Sequence, residues 1–334
     1  MQYLIRRLVL TIPVLLGVSI IVFSIMHVIP GDPVQLIFSG TGANLEQRQA
    51  MRHALGLDRP LPVQYAYYVA NAIRGDLGQS IQFKQPVIEL ILERMPATIE
   101  LTVASLFIAL IVAFPVGVIS AVKRNSIVDR VAMTVTTLGI SLPTFWVGIM
   151  LIMLVSVNLG WLPGFGRIGY EANLEKVIGF HLIDSLLTWN IPAFKNALVH
   201  LILPALVLGI ASATFTTRLI RSCVLEVIGE DYVITARGKG LPEKVILNRH
   251  VLRNAIIPVV TLIGVMIGSL LSGAVVTETI FAWPGIGRLV IQAINNRDFP
   301  VVQGVVLFFA LIRITTNLMT DVLYVMLDPR IGHV

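Results

Sequence analysis

The sequence predicts an all-α integral membrane protein with six transmembrane helices, and three observations carry that expectation. First, 56% of the 334 residues are hydrophobic and only 13% are charged, for a mean hydropathy of +0.84. A soluble domain of this size covers itself with about twice that charge density. Second, apolar runs of the length a bilayer demands, about 20 residues, recur along the chain. Third, lysines and arginines gather at the ends of alternate runs, which is how a membrane protein encodes its orientation. The formal charge of +6 is thereby accounted for as topology, with no nucleic-acid partner. The single cysteine, Cys223, allows neither an internal disulfide nor a cysteine metal cluster.

Span 1 runs from about Leu8 to Ile29 behind Arg6 and Arg7, which places the N-terminus in the cytoplasm. Its apolar run exceeds the h-region of a signal peptide, about 7–15 residues, so residues 1–30 are expected to remain as an uncleaved first helix. Pro13 falls in the first turns, and Pro30-Gly31-Asp32-Pro33 closes the span. Residues 31–96 form an extracytoplasmic loop or subdomain with six basic and six acidic side chains. It includes a short helix at Met51–Leu57 stopped by Pro60 and Pro62, and Tyr65, Tyr67, Tyr68, Leu77 and Phe83 give it something to bury.

Residues 97–326 form a five-helix core. Span 2, Ala97–Val122, ends on Lys123-Arg124, and span 3, Val131–Val157, follows Asp129-Arg130; Pro115 and Pro143 predict kinks. Residues 158–197 lie outside, with Trp161 and Trp189 as interface anchors. Span 4, Leu198–Thr217, contains Pro204 and leads to Arg218 and Arg221. A cytoplasmic region, 218–254, precedes span 5, Ala255–Val276, whose Gly264 and Gly268 have the spacing of a close helix contact. Residues 277–300 return outside, span 6 is Val301–Met326, and the tail 327–334 is cytoplasmic. The inner segments then hold 13 Lys+Arg against six acids, whereas the outer segments hold 11 of each.

Charges inside spans are few. Arg313, Asn317 and Asp321 are spaced four apart on one face of span 6. Two readings stay open: a polar stripe lining a translocation route or subunit contact, and an internal staple between Arg313 and Asp321 or a neighbouring helix. Ser141 and Pro143, at the kink of span 3, are further candidates for that path or a buried contact. Glu100 is expected in the first turn of span 2, stabilised by free helix N–H groups. His27, His200 and His250 lack a shared metal-ligand spacing. No G-x-x-x-x-G-K-S/T, H-E-x-x-H or G-x-S-x-G occurs, so no catalytic residue, bound cofactor or metal is predicted for this chain.

The most distinctive stretch is Glu230–Pro258, a charged island between apolar runs. It reads as two short helices, one from about Arg221 to Gly238 and one from Glu243 to Asn254, around Gly238-Lys239-Gly240-Leu241-Pro242. Mixed charge with exposed Tyr232, Val233 and Leu241 suits a reversible protein interface. An amphipathic loop on lipid headgroups is the alternative, weakened by the acids Glu230, Asp231 and Glu243.

The motifs also resemble those of a known family. Leu4-Ile5-Arg6-Arg7 with His27–Pro33, Gly139–Trp146, Asp231–Val233 with Thr235-Ala236-Arg237 and Lys239-Gly240-Leu241, Arg249–Pro258, and Gly273–Phe281 with Trp283–Leu289 together resemble inner-membrane permease subunits of bacterial ABC importers for dipeptides, oligopeptides and sometimes nickel. The resemblance covers nearly the whole chain in order. It implies the type I importer permease fold, a multi-pass location in the bacterial inner membrane with both termini cytoplasmic, and import without covalent chemistry by this chain. It implies a homologous second permease, two cytoplasmic ABC ATPases that hold ATP and magnesium, an extracytoplasmic peptide-binding protein, and a peptide as substrate. Nickel or glutathione is the alternative cargo; a secondary transporter or channel is a different class, one that calls for an internal repeat or a mid-membrane coupling acid. The implied ATPase-coupling residues are Glu230, Asp231, Tyr232, Ala236, Arg237, Lys239, Gly240 and Leu241. The family's Glu-Ala-Ala opening is Ile234-Thr235-Ala236 here, so the leading acid is absent and Glu230 or Asp231 stands in for it. The segment 158–197 is long for the family.

Overall fold

The computed structural model describes residues 2–28, 44–54 and 58–327. Their regular structure is helical, with one isolated antiparallel bridge between Gln79 and Pro86. Helix α1 is Gln2–Val28, α2 Leu45–Ala54, α3 Leu61–Ile73, α4 Val87–Val122 and α5 Ile127–Ser141. Helix α6, Thr144–Leu151, continues as a π-helical stretch, Ile152–Asn158; α7 is His181–Leu187, α8 Ile191–Ile228 and α9 Asp231–Gly238. Helix α10, Glu243–Val245, passes through a second π turn, Ile246–Val251, into α11, Leu252–Gly273. Helices α12 (Val275–Ile280), α13 (Ile286–Asn295) and α14 (Phe299–Leu327) complete the order. The predicted stop Pro30–Pro33 and the tail beyond Leu327 lie outside the described residues.

Among the described residues, four segments are long and apolar enough to cross a membrane: α4, α8, the α10–α11 continuation and α14. The pair α5–α6 makes a fifth if it counts as one span, and α1 contributes a shorter apolar stretch, Leu10–Ser24. Among the described residues, length and composition by themselves thus mark out four or five of the six spans expected. The kink expected within span 3 is a break: α5 and α6 meet at 97°. Leu142, restricted by the proline after it, is extended at φ −88° and ψ 127°, and Pro143 starts the next helix.

Helix starts also moved outward. Helix α4 begins at Val87, ahead of Ala97, so Glu100 is well inside a helix and not at its N-terminus. Pro60 and Pro62 do not merely stop a helix; Pro62 opens α3, where its missing N–H costs nothing. The predicted Arg221–Gly238 helix is divided, because α8 runs on to Ile228 and Glu230 is extended before α9.

The core forms where small residues let backbones approach. Helices α4 and α8 run parallel: a methyl at Gly117 would lie 2.9 Å from the Thr217 carbonyl, and one at Gly209 2.9 Å from that of Ser105. Buried Ala109, Ala113 and Ala213 continue this seam, so dispersion rather than water exclusion holds it in lipid. On the other side α14 lies antiparallel to α11, with Gly264 against Thr320 and Gly268 against Thr316. The predicted glycine spacing is thus a contact with α14. Helix α1 lies along α14 through Gln303 Nε2, which donates to the Val22 carbonyl at 3.3 Å.

Candidate functional site

One end of the bundle carries the excess of basic over acidic residues and the charged island, and there α9 is held by a small set of contacts. Val233 and Ala236 are its two buried side chains, and they join Val224 of α8 with Ile246 and Val251 of the π turn in one apolar cluster. Helix α9 therefore touches both neighbouring long helices through its inner face. Its C-terminus closes as a Schellman turn. Leu241 N–H donates to the Ala236 carbonyl at 3.3 Å and Gly240 N–H to Arg237 at 2.9 Å, while Gly240 takes φ +75°. Only glycine adopts that conformation without a Cβ penalty. Arg237 Nε meets Glu243 Oε1 at 2.7 Å across the turn, and Asn254 Nδ2 donates to Tyr232 Oη at 2.7 Å.

The outer face of α9 is left open. Ile234, Leu241 and Val245 are 55%, 39% and 39% exposed, beside exposed Lys239 and Lys244. Glu230 occupies the N-cap position without a side-chain cap, and Asp231 sits in the first turn. All eight candidate coupling residues thus fall on one helix and its two ends. The supporting frame is tied down separately: Arg221 of α8 grips Asp129 of α5 at 2.7 and 2.8 Å, and Arg218 donates to Thr137 at 2.6 Å.

The candidate path residues separate into two places. Ser141 Oγ donates to the Thr137 carbonyl at 3.0 Å, next to the α5–α6 break, where residues 140–146 are all exposed. On α14, Arg313 does not meet Asp321. Its Nη1 donates to the Val265 carbonyl of α11 at 3.3 Å, and Asp321 pairs with Arg7 of α1. Asn317, between them, is partly exposed.

The far end holds residues that sequence reasoning missed. Glu100 accepts from Arg167 Nε at 3.0 Å and Nη2 at 2.7 Å, and from Leu182 N–H at 3.0 Å. That pair binds the 158–190 segment onto α4. Glu278, fully buried, accepts from Thr98 Oγ1 at 2.8 Å and Arg288 N–H at 3.0 Å. Burial, only partly offset by the Thr98 hydrogen bond, pushes its carboxyl up to about 7. Trp283 Nε1 donates to the Ala97 carbonyl at 2.8 Å, and Asp298 accepts from Ser80 and from the N–H groups of Ile81 and Gln82. The signal available was an acid set among glycines and aromatics, Glu278 to Gly287, where no charge has reason to stay unless it organises backbone. Among the described residues no group of three His, Cys, Asp or Glu is placed to hold a metal.

This geometry defines a multi-span helical membrane protein that presents a short charged helix at one end. Residues 113–333 match the binding-protein-dependent transport system inner membrane component, and residues 1–102 match the N-terminal region of such membrane components. The chain belongs to that family, and it is a transport component rather than an enzyme. It is 45% identical over 336 residues to the dipeptide transport system permease protein of Escherichia coli strain K12, covering 100% of this chain and 99% of that one. It is 45% identical over 333 residues to the di/tripeptide transport system permease protein of Pseudomonas aeruginosa strain UCBPP-PA14, covering 100% and 99%. The glutathione transport system permease protein of E. coli O6:H1 is 41% identical over 333 residues, again covering 100% and 99%. A solved methionine ABC transporter in an inward-facing conformation shares the fold, at TM-score 0.51 and 16% identity over 72% of this chain and 97% of that one.

Proposed function

We propose that this chain is half of the translocation path of an ATP-driven peptide importer in the bacterial inner membrane. In this reading α1, α4, α5–α6, α8, α10–α11 and α14 are six spans with both termini in the cytoplasm. The charge balance supports that orientation, with 13 basic against six acidic residues on the proposed inner side. A homologous permease completes the path, two ATPases that bind ATP and magnesium dock on α9 and its counterpart, and an extracytoplasmic binding protein delivers dipeptides or short oligopeptides. The full-length likeness to permeases named for dipeptides and di/tripeptides supports the cargo.

The observation that carries the coupling role is the anchoring of α9 to both α8 and the π turn before α11 by Val233 and Ala236. A partner that displaces α9 moves two spans together, because close-packed cores transmit rather than absorb displacement. The exposed break at residues 140–146 supports its place beside the route, since non-helical backbone at membrane depth is tolerated where it lines water or protein.

The test is reconstitution of the purified complex in liposomes with its binding protein. ATP-dependent dipeptide uptake that stops when Ile234 and Leu241 are both changed to aspartate, with the complex otherwise intact, is the expected result. Uptake by this chain alone without ATP, or a complex that moves no peptide, overturns the reading.

A further inference from the structure

Other charges in or next to the long helices are paired within the chain: Asp321 with Arg7, Asp129 with Arg221, Glu100 with Arg167. Arg313 is different. It stands at the middle of α14, and its one hydrogen bond is to a backbone carbonyl at 3.3 Å. Among the described residues no carboxylate pairs with it, because Asp321, two turns along the same face, is turned to α1. A guanidinium has five N–H donors, and hydrocarbon offers them nothing.

The helix it leans on carries polar side chains along one side: Asn254 and Ser269 of α11 are exposed and Thr261 and Ser272 partly so, interrupted by exposed Pro258 and Val265. Their spacing of three, four or seven places them in one stripe. A Cβ at Gly268 would stand 3.4 Å from the Arg313 Cδ, so the glycine leaves the side chain room to lie against α11. A mid-helix cation with no carboxylate partner among the described residues, beside a helix face that carries Thr261, Ser269 and Ser272, can receive an anion that arrives and leaves.

We propose that Arg313 is the point in the path that receives the carboxylate of the passing peptide, with Asn317 and the α11 hydroxyl stripe serving its polar backbone. This rests on the importer reading and adds the chemical group recognised inside the membrane. A planar guanidinium matches a carboxylate in bidentate fashion, and exposure to water keeps the grip weak enough for release. The peptide's side chains take no part, so sequences of different kinds pass equally.

The test uses the whole complex in liposomes, saturated with loaded binding protein, and compares uptake of a dipeptide with uptake of the same dipeptide as its C-terminal amide. Wild-type uptake of the free acid tests the importer reading by itself; the variants test Arg313. Arg313→Gln is expected to lower free-acid uptake at least tenfold and to abolish the acid-over-amide preference, while Arg313→Lys, which keeps the charge without the bidentate fork, restores part of it. Ser269→Asp, which supplies an internal carboxylate one turn from Val265, is expected to block free-acid uptake without loss of assembled complex. Retention of the acid-over-amide preference in Arg313→Gln, or normal uptake in Ser269→Asp, overturns the assignment. So does loss of the second permease from Arg313→Gln that Arg313→Lys does not repair, which makes Arg313 a subunit contact.

Discussion

The two ends of the bundle are held by different means. At the far end Glu100, Asp184, Glu278 and Asp298 are each 8% exposed or less, and each accepts a hydrogen bond from a backbone N–H of a loop or of the first turn of a helix. At the basic end α9 is fixed by two buried side chains, a glycine turn and an ion pair whose members are 40% and 70% exposed. Buried, fully bonded carboxylates specify one geometry and resist change, whereas a lightly anchored helix moves as a unit when a partner pushes it. The contrast is that of a frame and a lever.

Breaking the frame has the largest expected effect. Gly287→Ala places a methyl 2.6 Å from the Val275 Cα, a backbone atom that cannot swing aside, so little assembled complex should survive extraction in mild detergent. Arg167→Met strands the buried Glu100 carboxylate, at a cost of about 3 kcal/mol or more; the melting temperature of the solubilised complex measures it, and a change no larger than that of a surface substitution would refute the clamp.

Next in size is a pH effect at Glu278. Its folded value, about 7, lies above that of a free glutamate. Folding is therefore favoured most while the group is protonated in both states, and that stability is lost as pH rises from about 4.5 toward 7, by about 3 kcal/mol in all. Wild-type complex should melt progressively lower over that window relative to Glu278→Gln, whose curve should be flatter.

The lever should respond less in stability and more in coupling. Gly240→Ala meets open space but is strained at φ +75°, which costs about 1–2 kcal/mol; the complex should assemble while peptide-dependent ATP hydrolysis falls severalfold. Glu243→Gln removes an exposed pair and should leave the melting temperature unchanged. A large loss of stability from Glu243→Gln would erase the distinction between the ends.

The two ends also differ in how well they could be read from residues alone. The basic end was legible: Gly240, Leu241 and Pro242 announce a helix stop, and the charges around Glu230–Lys244 mark a surface. Helix α9 was misjudged at its start, since nothing in Val227-Ile228-Gly229-Glu230 forbids a continuous helix and tertiary packing chose the break, and at Val233, which was expected exposed and is buried against α8 and the π turn. The far end was hidden. Glu278 and Asp298 counted as two outer acids balancing Arg288 and Arg297, yet among the described residues neither forms an ion pair with them; Glu278 accepts from the Thr98 hydroxyl and Asp298 from the Ile81 N–H, both brought from far along the chain. Glu100 lost its expected role because α4 starts before it, and gained Arg167.

By itself the sequence determined the helical membrane class, the order of the apolar runs and the family. Those properties depend on composition and local periodicity, which each segment carries within itself. Tertiary structure alone decided that span 3 breaks at 97°, that Asp321 pairs with Arg7, and that Arg313 is left with a carbonyl at 3.3 Å. An i,i+4 spacing says which groups share a face, but the partner each group meets depends on which helix packs against that face, and that depends on small residues far away in the chain.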